Sequence, residues 1–268
     1  MFDSHCHLDL APFDRDRDEV LRRAQNADLA GLLVPAVRPS TFAGVEALRS
    51  DVASPLAIFI ALGVHPQVVA DLTPAELAIA TDPEALAAAA TRAGAVAIGE
   101  CGLDGGTPDP ARQEVVLRAH IRAARAAKLP VVLHILRAHG AAPRILREER
   151  VGDVGGVMHS YSGGTELIGV YRDLGLAFSL AGPVTFPGSR RPWEAAKAIP
   201  GDLLLAETDS PDQTPHPHRG KRNEPAFLRE IIGALAEARG ETADAMGALT
   251  ARNACRLFRL PEPARASP

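Results

Sequence analysis

The sequence predicts an α/β fold, a (β/α)8 TIM barrel forming a single domain over residues 1–260, and three observations carry that reading. Apolar runs of strand length, rich in Val, Ile and Leu, alternate with Ala/Arg/Glu-rich helical stretches along nearly the whole chain, the pattern of parallel βαβ units. The alternation repeats eight times, and 268 residues suit a barrel of about 250. No long linker, repeat or low-complexity block interrupts it; the Ala-rich stretch 84–90 is ordinary helix-forming composition.

Taken in order, the first strand falls at Phe2–His5 and its helix at Arg15–Ala30. The run Gly31–Ala36 gives the second strand, followed by a helix over Thr41–Asp51, and Leu56–Gly63 gives the third, followed by the long helix Pro74–Ala93. Ala95–Glu100 and Pro130–His134 are the fourth and fifth strands, with helices at Pro110–Lys128 and Ala141–Glu149. Gly156–His159 and Leu176–Leu180 come next, with helices at Gly164–Leu174 and Pro192–Ile199. Leu203–Glu207 is the eighth strand, and helices over Glu224–Arg239 and Thr242–Leu257 complete the barrel. Residues 261–268, Pro-containing and without large apolar side chains, are expected to form a disordered tail.

Composition narrows the function classes. A hydrophobic fraction of 46% is that of an ordinary globular protein, and the longest apolar runs fall far below the ~20 residues of a membrane span. The first strand begins almost at Met1, which leaves no room for a secretory leader, so a cytoplasmic location is expected. Cys6, Cys101 and Cys255 are scattered and odd in number, so a disulfide framework is not indicated; they read as small buried packing residues or as weakly redox-sensitive thiols. A net charge of −4 gives no global field for a polyanion, so extended duplex binding is not expected. Oligomeric state is not encoded legibly, and a monomer is the default.

In a barrel the reactive residues belong at the C-terminal ends of the strands. The first strand leads into Phe2-Asp3-Ser4-His5-Cys6-His7, and alternate strand residues project to one side, so His5 and His7 offer two imidazoles to one point. The third strand runs into Gly63-Val64-His65-Pro66 and the fourth into Glu100-Cys101-Gly102-Leu103-Asp104. The fifth and sixth end at His134 and His159, and the eighth runs through Glu207-Thr208-Asp209. One histidine after an apolar run is commonly a hydrogen-bonded core residue. The recurrence at successive strand ends instead makes His5, His7, Glu100, His134, His159 and Asp209 a candidate metal site. Six ligands exceed the three of a single catalytic zinc, so two divalent ions are expected, with Glu100 on a middle strand bridging them. Imidazole and carboxylate donors do not choose among Mg²⁺, Mn²⁺ and Zn²⁺.

These segments, with Leu129-Pro130-Val131-Val132-Leu133-His134, Met158-His159-Ser160-Tyr161-Ser162-Gly163, Glu207-Thr208-Asp209-Ser210-Pro211, Arg219-Gly220-Lys221-Arg222-Asn223-Glu224-Pro225 and Asn253-Ala254-Cys255-Arg256-Leu257-Phe258, resemble the TatD family of metal-dependent hydrolases in the amidohydrolase superfamily, over roughly residues 1 to 260. The resemblance implies a two-metal TIM barrel that hydrolyses phosphodiesters, typically as a 3′–5′ exonuclease (a deoxyribonuclease in many members) on single-stranded DNA or RNA. It places the family's ligands on the same six residues and puts His65 in the substrate pocket; otherwise His65 is a loop histidine capping the turn before Pro66. The chain departs from the family pattern where Gly105-Gly106 follow Asp104 and where Asp212 follows Pro211, positions that commonly carry an aromatic. After His134, Arg137 stands one residue later than the family's arginine and an acidic partner is missing.

The implied mechanism is in-line displacement by water activated between two cations, with Asp209 as general base and Glu100 as the shared catalytic ligand. Glu207 would orient a ligand from behind or serve as a buried structural carboxylate. Arg137, Arg219, Lys221 and Arg222 would bind the phosphates of a short single strand or serve surface solubility. Two rival functions remain open at this level, an amidohydrolase or esterase acting on a small molecule and a catalytically idle binding scaffold.

Overall fold

Eight strands, β1 (Phe2–Asp3), β2 (Gly31–Pro35), β3 (Ala57–Leu62), β4 (Ala97–Asp104), β5 (Val131–Leu136), β6 (Gly156–His159), β7 (Leu176–Leu180) and β8 (Leu204–Ala206), pair in parallel in chain order. The structure, a computed structural model, describes residues 1–50 and 56–261. At the seam between β8 and β1, Ser4 N–H donates to the Ala206 carbonyl at 3.1 Å, Asp209 N–H to His5 at 2.9 Å and His7 N–H to Ser210 at 2.8 Å. The buried Asp3 carboxylate reinforces it, accepting from Thr208 N–H at 2.9 Å and from the Thr208 hydroxyl at 2.6 Å. The sheet thus turns back on itself as the predicted barrel.

Strand alternation fills the interior. One residue from each strand, Phe2, Leu33, Ala61, Ala97, Val132, Val157, Ala177 and Leu205, joins a single cluster. One end is plugged by Ala251, Ala254, Cys255 and Phe258, a single face of helix α10 (Ala243–Phe258) at helical spacing. The opposite strand faces, including Leu32, Ile60, Ile98, Leu133 and Phe178, pack under the surrounding helices. Those helices are α1 (Arg17–Asn26), α2 (Phe42–Leu48), α3 (Pro74–Ala80), α4 (Pro83–Ala93), α5 (Pro110–Ala127), α6 (Ala142–Glu148), α7 (Thr165–Arg172), α8 (Arg190–Ala198) and α9 (Leu228–Arg239).

The long helix expected over Pro74–Ala93 is two helices. Pro83 has no N–H to continue α3, and Asp82 caps α4 by accepting from Glu84 and Ala85 N–H at 2.9 and 3.1 Å. The helix expected over Thr41–Asp51 stops at Leu48; Asp51 lies outside the described residues, as does the expected tail beyond Pro261. Among the described residues no helix is long and apolar enough to cross a membrane.

Two departures from regular strand geometry shape the site. The first strand ends at Asp3, short of the predicted His5, and Asp3 Oδ1 accepts from His5 N–H at 3.3 Å. Beyond it Cys6 and Leu8 pack in the outer core, whereas unbroken alternation from the inward Phe2 would have turned His5 and His7 outward. In β4, which runs on to Asp104 rather than stopping at Glu100, the register shifts between Ile98 and Cys101, both in the outer core. That extra residue is a bulge, and it lets Glu100 face inward out of phase with Ala97. Gly102 adopts φ 157° there, and a Cβ on it would sit 1.8 Å from the His134 carbonyl oxygen.

Candidate metal centre

Each side chain reaches the centre for a local reason. Alternation carries the interior face two residues past Val132 to His134, two past Val157 to His159, and from Leu205 to Glu207 and then Asp209. His5 and His7 arrive through the break after β1, and Glu100 through the bulge in β4. All six predicted ligands therefore converge.

The Glu100 carboxylate is fully buried and divides its oxygens between two groups of imidazoles. Oε2 lies 3.0 Å from His5 Nε2 and 3.4 Å from His7 Nε2. Oε1 lies 2.9 Å from His134 Nδ1, 3.0 Å from His159 Nε2 and 3.1 Å from His65 Nε2. Asp209 Oδ1 completes the first group at 3.7 Å from both His5 and His7 Nε2. Ligand-type atoms of His5, His7 and Glu100, of His5, His159 and Asp209, and of His65, Glu100 and His134 each cluster within 4.8 Å.

The donor chemistry fits a divalent metal. Glu100 Oε2 is buried with no hydrogen-bond partner, a costly arrangement for a carboxylate that a cation would relieve. His5 and His7 aim their Nε2 atoms at one another at 3.2 Å, as two ligands of one ion do. Burial, helped by the neighbouring His159, lowers the His5 pKa, and burial also lowers that of His134, which favours the neutral imidazole that ligates; at His7 and His159 burial also pulls downward, but the facing carboxylates outweigh it and raise His7 to about 9 and His159 well above its usual value, protons that a cation would displace. Burial pushes the Glu100 carboxyl up, but the facing imidazoles of His65, His159 and His5 outweigh it and hold the group well below the usual range.

The surrounding groups fix orientation. Glu207, buried, takes the His159 Nδ1 side at 3.2 Å while also accepting from Ser160 N–H at 2.5 Å and the Ser179 hydroxyl at 2.6 Å. A proton on Nδ1 would leave the His159 Nε2 lone pair facing the centre, so Glu207 is placed to orient that imidazole as well as to fill the core. His65 does two things: its Nδ1 accepts from Gln67 N–H at 3.1 Å, capping the turn, while Nε2 points at Glu100. With Nδ1 accepting, the neutral ring carries its proton on Nε2 and is a donor toward the centre rather than a ligand.

The expected cationic residues separate. Arg137, with φ 53°, is exposed just past β5, and Arg219 is exposed with its guanidinium 5.3 Å from the Phe186 ring centroid. Lys221 is exposed as well. Arg222 is engaged elsewhere: it holds both Asp16 oxygens at 2.7 and 2.8 Å, donates to the Pro12 carbonyl at 2.6 Å and lies 4.6 Å over Phe13. It clasps the loop after β8 to the segment before α1, so its guanidinium is already engaged within the chain.

Sequence reading missed Gln213. Its amide nitrogen donates to Asp209 Oδ2 and lies 2.8 Å from the Ser160 hydroxyl, so it holds Asp209 in place. A glutamine four residues past Asp209, in a loop with no periodicity, carries no signal that spacing alone reveals. Asp104 was likewise unassigned; Gln67 donates to its Oδ2 at 2.9 Å, and that oxygen lies 3.8 Å behind His134 Nε2.

Comparison with known proteins identifies the family. The chain matches the family described as TatD related DNase over residues 2–259. It is 36% identical over 265 residues to the uncharacterized metal-dependent hydrolase YabD of Bacillus subtilis (strain 168), covering 97% of this chain and 99% of the relative. It is 34% identical over 281 residues to the 3′-5′ ssDNA/RNA exonuclease TatD of Erwinia billingiae, covering 97% and 100% respectively. The crystal structure of YjjV, a TatD homolog from Escherichia coli K12, superposes with a TM-score of 0.87 at 31% identity, covering 97% of this chain and 98% of that one. A barrel presenting these histidines and carboxylates, matched along almost its whole length, places this chain in the TatD family of metal-dependent hydrolases.

Proposed function

We propose that the protein is a 3′–5′ exonuclease that cleaves phosphodiesters at the ends of single-stranded DNA or RNA with two divalent ions, Mg²⁺, Mn²⁺ or Zn²⁺, held by His5, His7, Glu100, His134, His159 and Asp209. The observation that carries the two-ion reading is the division of the Glu100 oxygens between the His5/His7 group and the His134/His159 group. The nucleic-acid reading is supported by relatives named as ssDNA/RNA exonucleases at about a third identity.

Divalent cations at such a centre supply an acidified water and neutralise charge on a phosphoryl oxygen. The chain's own residues do the rest. Asp209, with Oδ2 held by Gln213 and Oδ1 directed at the centre, accepts the proton of the attacking water. His65 Nε2–H offers a hydrogen bond to a phosphate oxygen entering beside Glu100. Arg137, Arg219 and Lys221, exposed on loops after β5 and β8, suit the phosphates of the continuing strand.

Elemental analysis joined to a digestion tests the proposal. Two equivalents of metal per chain and stepwise release of mononucleotides from the 3′ end of a single-stranded oligonucleotide are expected. One equivalent or none, or turnover of a lactone or amide with no nucleotide released under any metal, refutes it.

A further inference from the structure

His134 has a carboxylate on each side of its ring. Its Nδ1 lies 2.9 Å from Glu100 Oε1, while its Nε2 is buried with no hydrogen-bond partner and has Asp104 Oδ2 3.8 Å away. That second gap is too long for a hydrogen bond. The two side chains are only 13% and 4% exposed, however, so the Asp104 charge acts across it with little screening. A neutral imidazole carries one proton, and the nitrogen that keeps it leaves the other free to ligate. Glu100 draws that proton toward the centre, and Asp104 draws it away.

Asp104 cannot turn aside. Its backbone N–H donates to Gln113 Oε1 at 2.8 Å, Gly106 N–H donates to Oδ1 at 2.8 Å and the Gln67 amide donates to Oδ2 at 2.9 Å. The orphaned Nε2 facing Oδ2 is an observation independent of that clamp. Gln67 serves the neighbouring ring as well, since its backbone N–H donates to His65 Nδ1 at 3.1 Å, and the His65 and His134 ring centroids are 4.4 Å apart. One exposed glutamine therefore touches the surroundings of both imidazoles on the Oε1 side of Glu100.

Resting on the two-cation reading above, we propose that Asp104 and Gln67 are positioning residues for His134: Gln67 steadies the Asp104 carboxylate, whose charge favours the proton on His134 Nε2 and so keeps the Nδ1 lone pair turned to the centre. A cation shared with Glu100 spends the pull of that carboxylate, and the proton then belongs on the Asp104 side. His65, turned the opposite way by the Gln67 backbone, stays a donor.

The test reads ring state and metal uptake rather than turnover. Asp104→Asn removes the charge and keeps the side-chain size. Gln67→Met, at an exposed position, removes only the amide donor and keeps the backbone N–H to His65. In metal-free protein carrying isotope-labelled histidine, proton–nitrogen correlation spectra, with His134→Ala to assign the ring, should show His134 moving toward the Nδ1–H form in Asp104→Asn. Gln67→Met should move it the same way, less far. In calorimetric titration with Zn²⁺ the wild type should take up two ions. Asp104→Asn should bind one of them about 10–100-fold more weakly while the other changes by less than about threefold. Equal weakening of both ions, or an unmoved His134 ring with unchanged affinities, overturns the proposal. If Asp104→Asn does not fold, Gln67→Met decides alone, and wild-type ring state and affinities there overturn it. A wild type that takes up one Zn²⁺ or none refutes the two-cation reading itself, a result distinguishable from these.

Discussion

Replacing Glu100 by Gln keeps the side-chain volume and removes one charge from the point where the two imidazole groups meet. With carboxylate oxygens about 3 Å from five imidazole nitrogens, any ion held by either group lies within about 4 Å of that charge. At an effective dielectric of about 20, one pair of unit charges at about 4 Å is worth about 4 kcal/mol, or roughly a thousandfold in affinity. The cations are divalent, so this is a lower limit. At a metal concentration a hundred times the wild-type Kd, the wild type gains about 2.7 kcal/mol of stability per site. A site a thousandfold weaker gains less than about 0.1 kcal/mol from the same addition. The assay is thermal unfolding with and without Mn²⁺, with elemental analysis after dialysis and oligonucleotide digestion alongside; Glu100→Ala should lose turnover in the same way. Two retained ions with turnover within tenfold of wild type would refute the shared-ligand arrangement.

Glu207→Gln should weaken metal binding by about 10–100-fold by loosening the His159 tautomer, and unchanged affinity in a metal titration argues against that role. Asp209→Asn should keep most of its metal while turnover falls by about 10²–10⁴, since an amide cannot accept the water's proton; wild-type rates would remove Asp209 as the base. Arg222→Ala should cost about 1–2 kcal/mol in denaturant unfolding and leave turnover within about twofold. Arg219→Ala or Lys221→Ala should instead raise KM for oligonucleotides and lower the salt slope of binding by about 0.7 each; identical slopes would count against phosphate contact. Burial pushes the pKa of His120 down to about 4, so the unfolded chain, titrating near 6.5, takes up its proton first. Stability should therefore be lost as pH falls from about 6.5 to about 4, by about 3 kcal/mol, and His120→Leu should flatten that loss; superimposable acid transitions would exclude the contribution.

Much of the site was legible because strand periodicity and ligand chemistry coincide. His134, His159 and Asp209 follow apolar runs in phase with the barrel interior, so residue type and spacing point the same way. Glu100, His5 and His7 reach the cluster by a route the spacing does not show: simple alternation would have misdirected them, and a bulge and a broken strand end, neither with a spacing signature, set their directions. Pro83 did signal the split between α3 and α4, but the continuous apolar pattern obscured it. The commitment of Arg222 to Asp16, 206 positions away, is a long-range pairing that no local pattern encodes. The same holds for Gln213, whose role exists only because the loop after β8 folds back over Ser160.

The seam between the first and last strands has a further consequence for how the enzyme comes into being. His5, His7 and Asp209 sit on its two sides, and the backbone bonds joining them span about two hundred residues of chain. Closing so long a loop comes late, since its entropy is lost before any contact rewards it. A nascent chain can bury most of its apolar strands and still lack one half of the histidine and carboxylate cluster, so if that cluster is the metal centre, hydrolytic competence should switch on only when the final strand docks against the first.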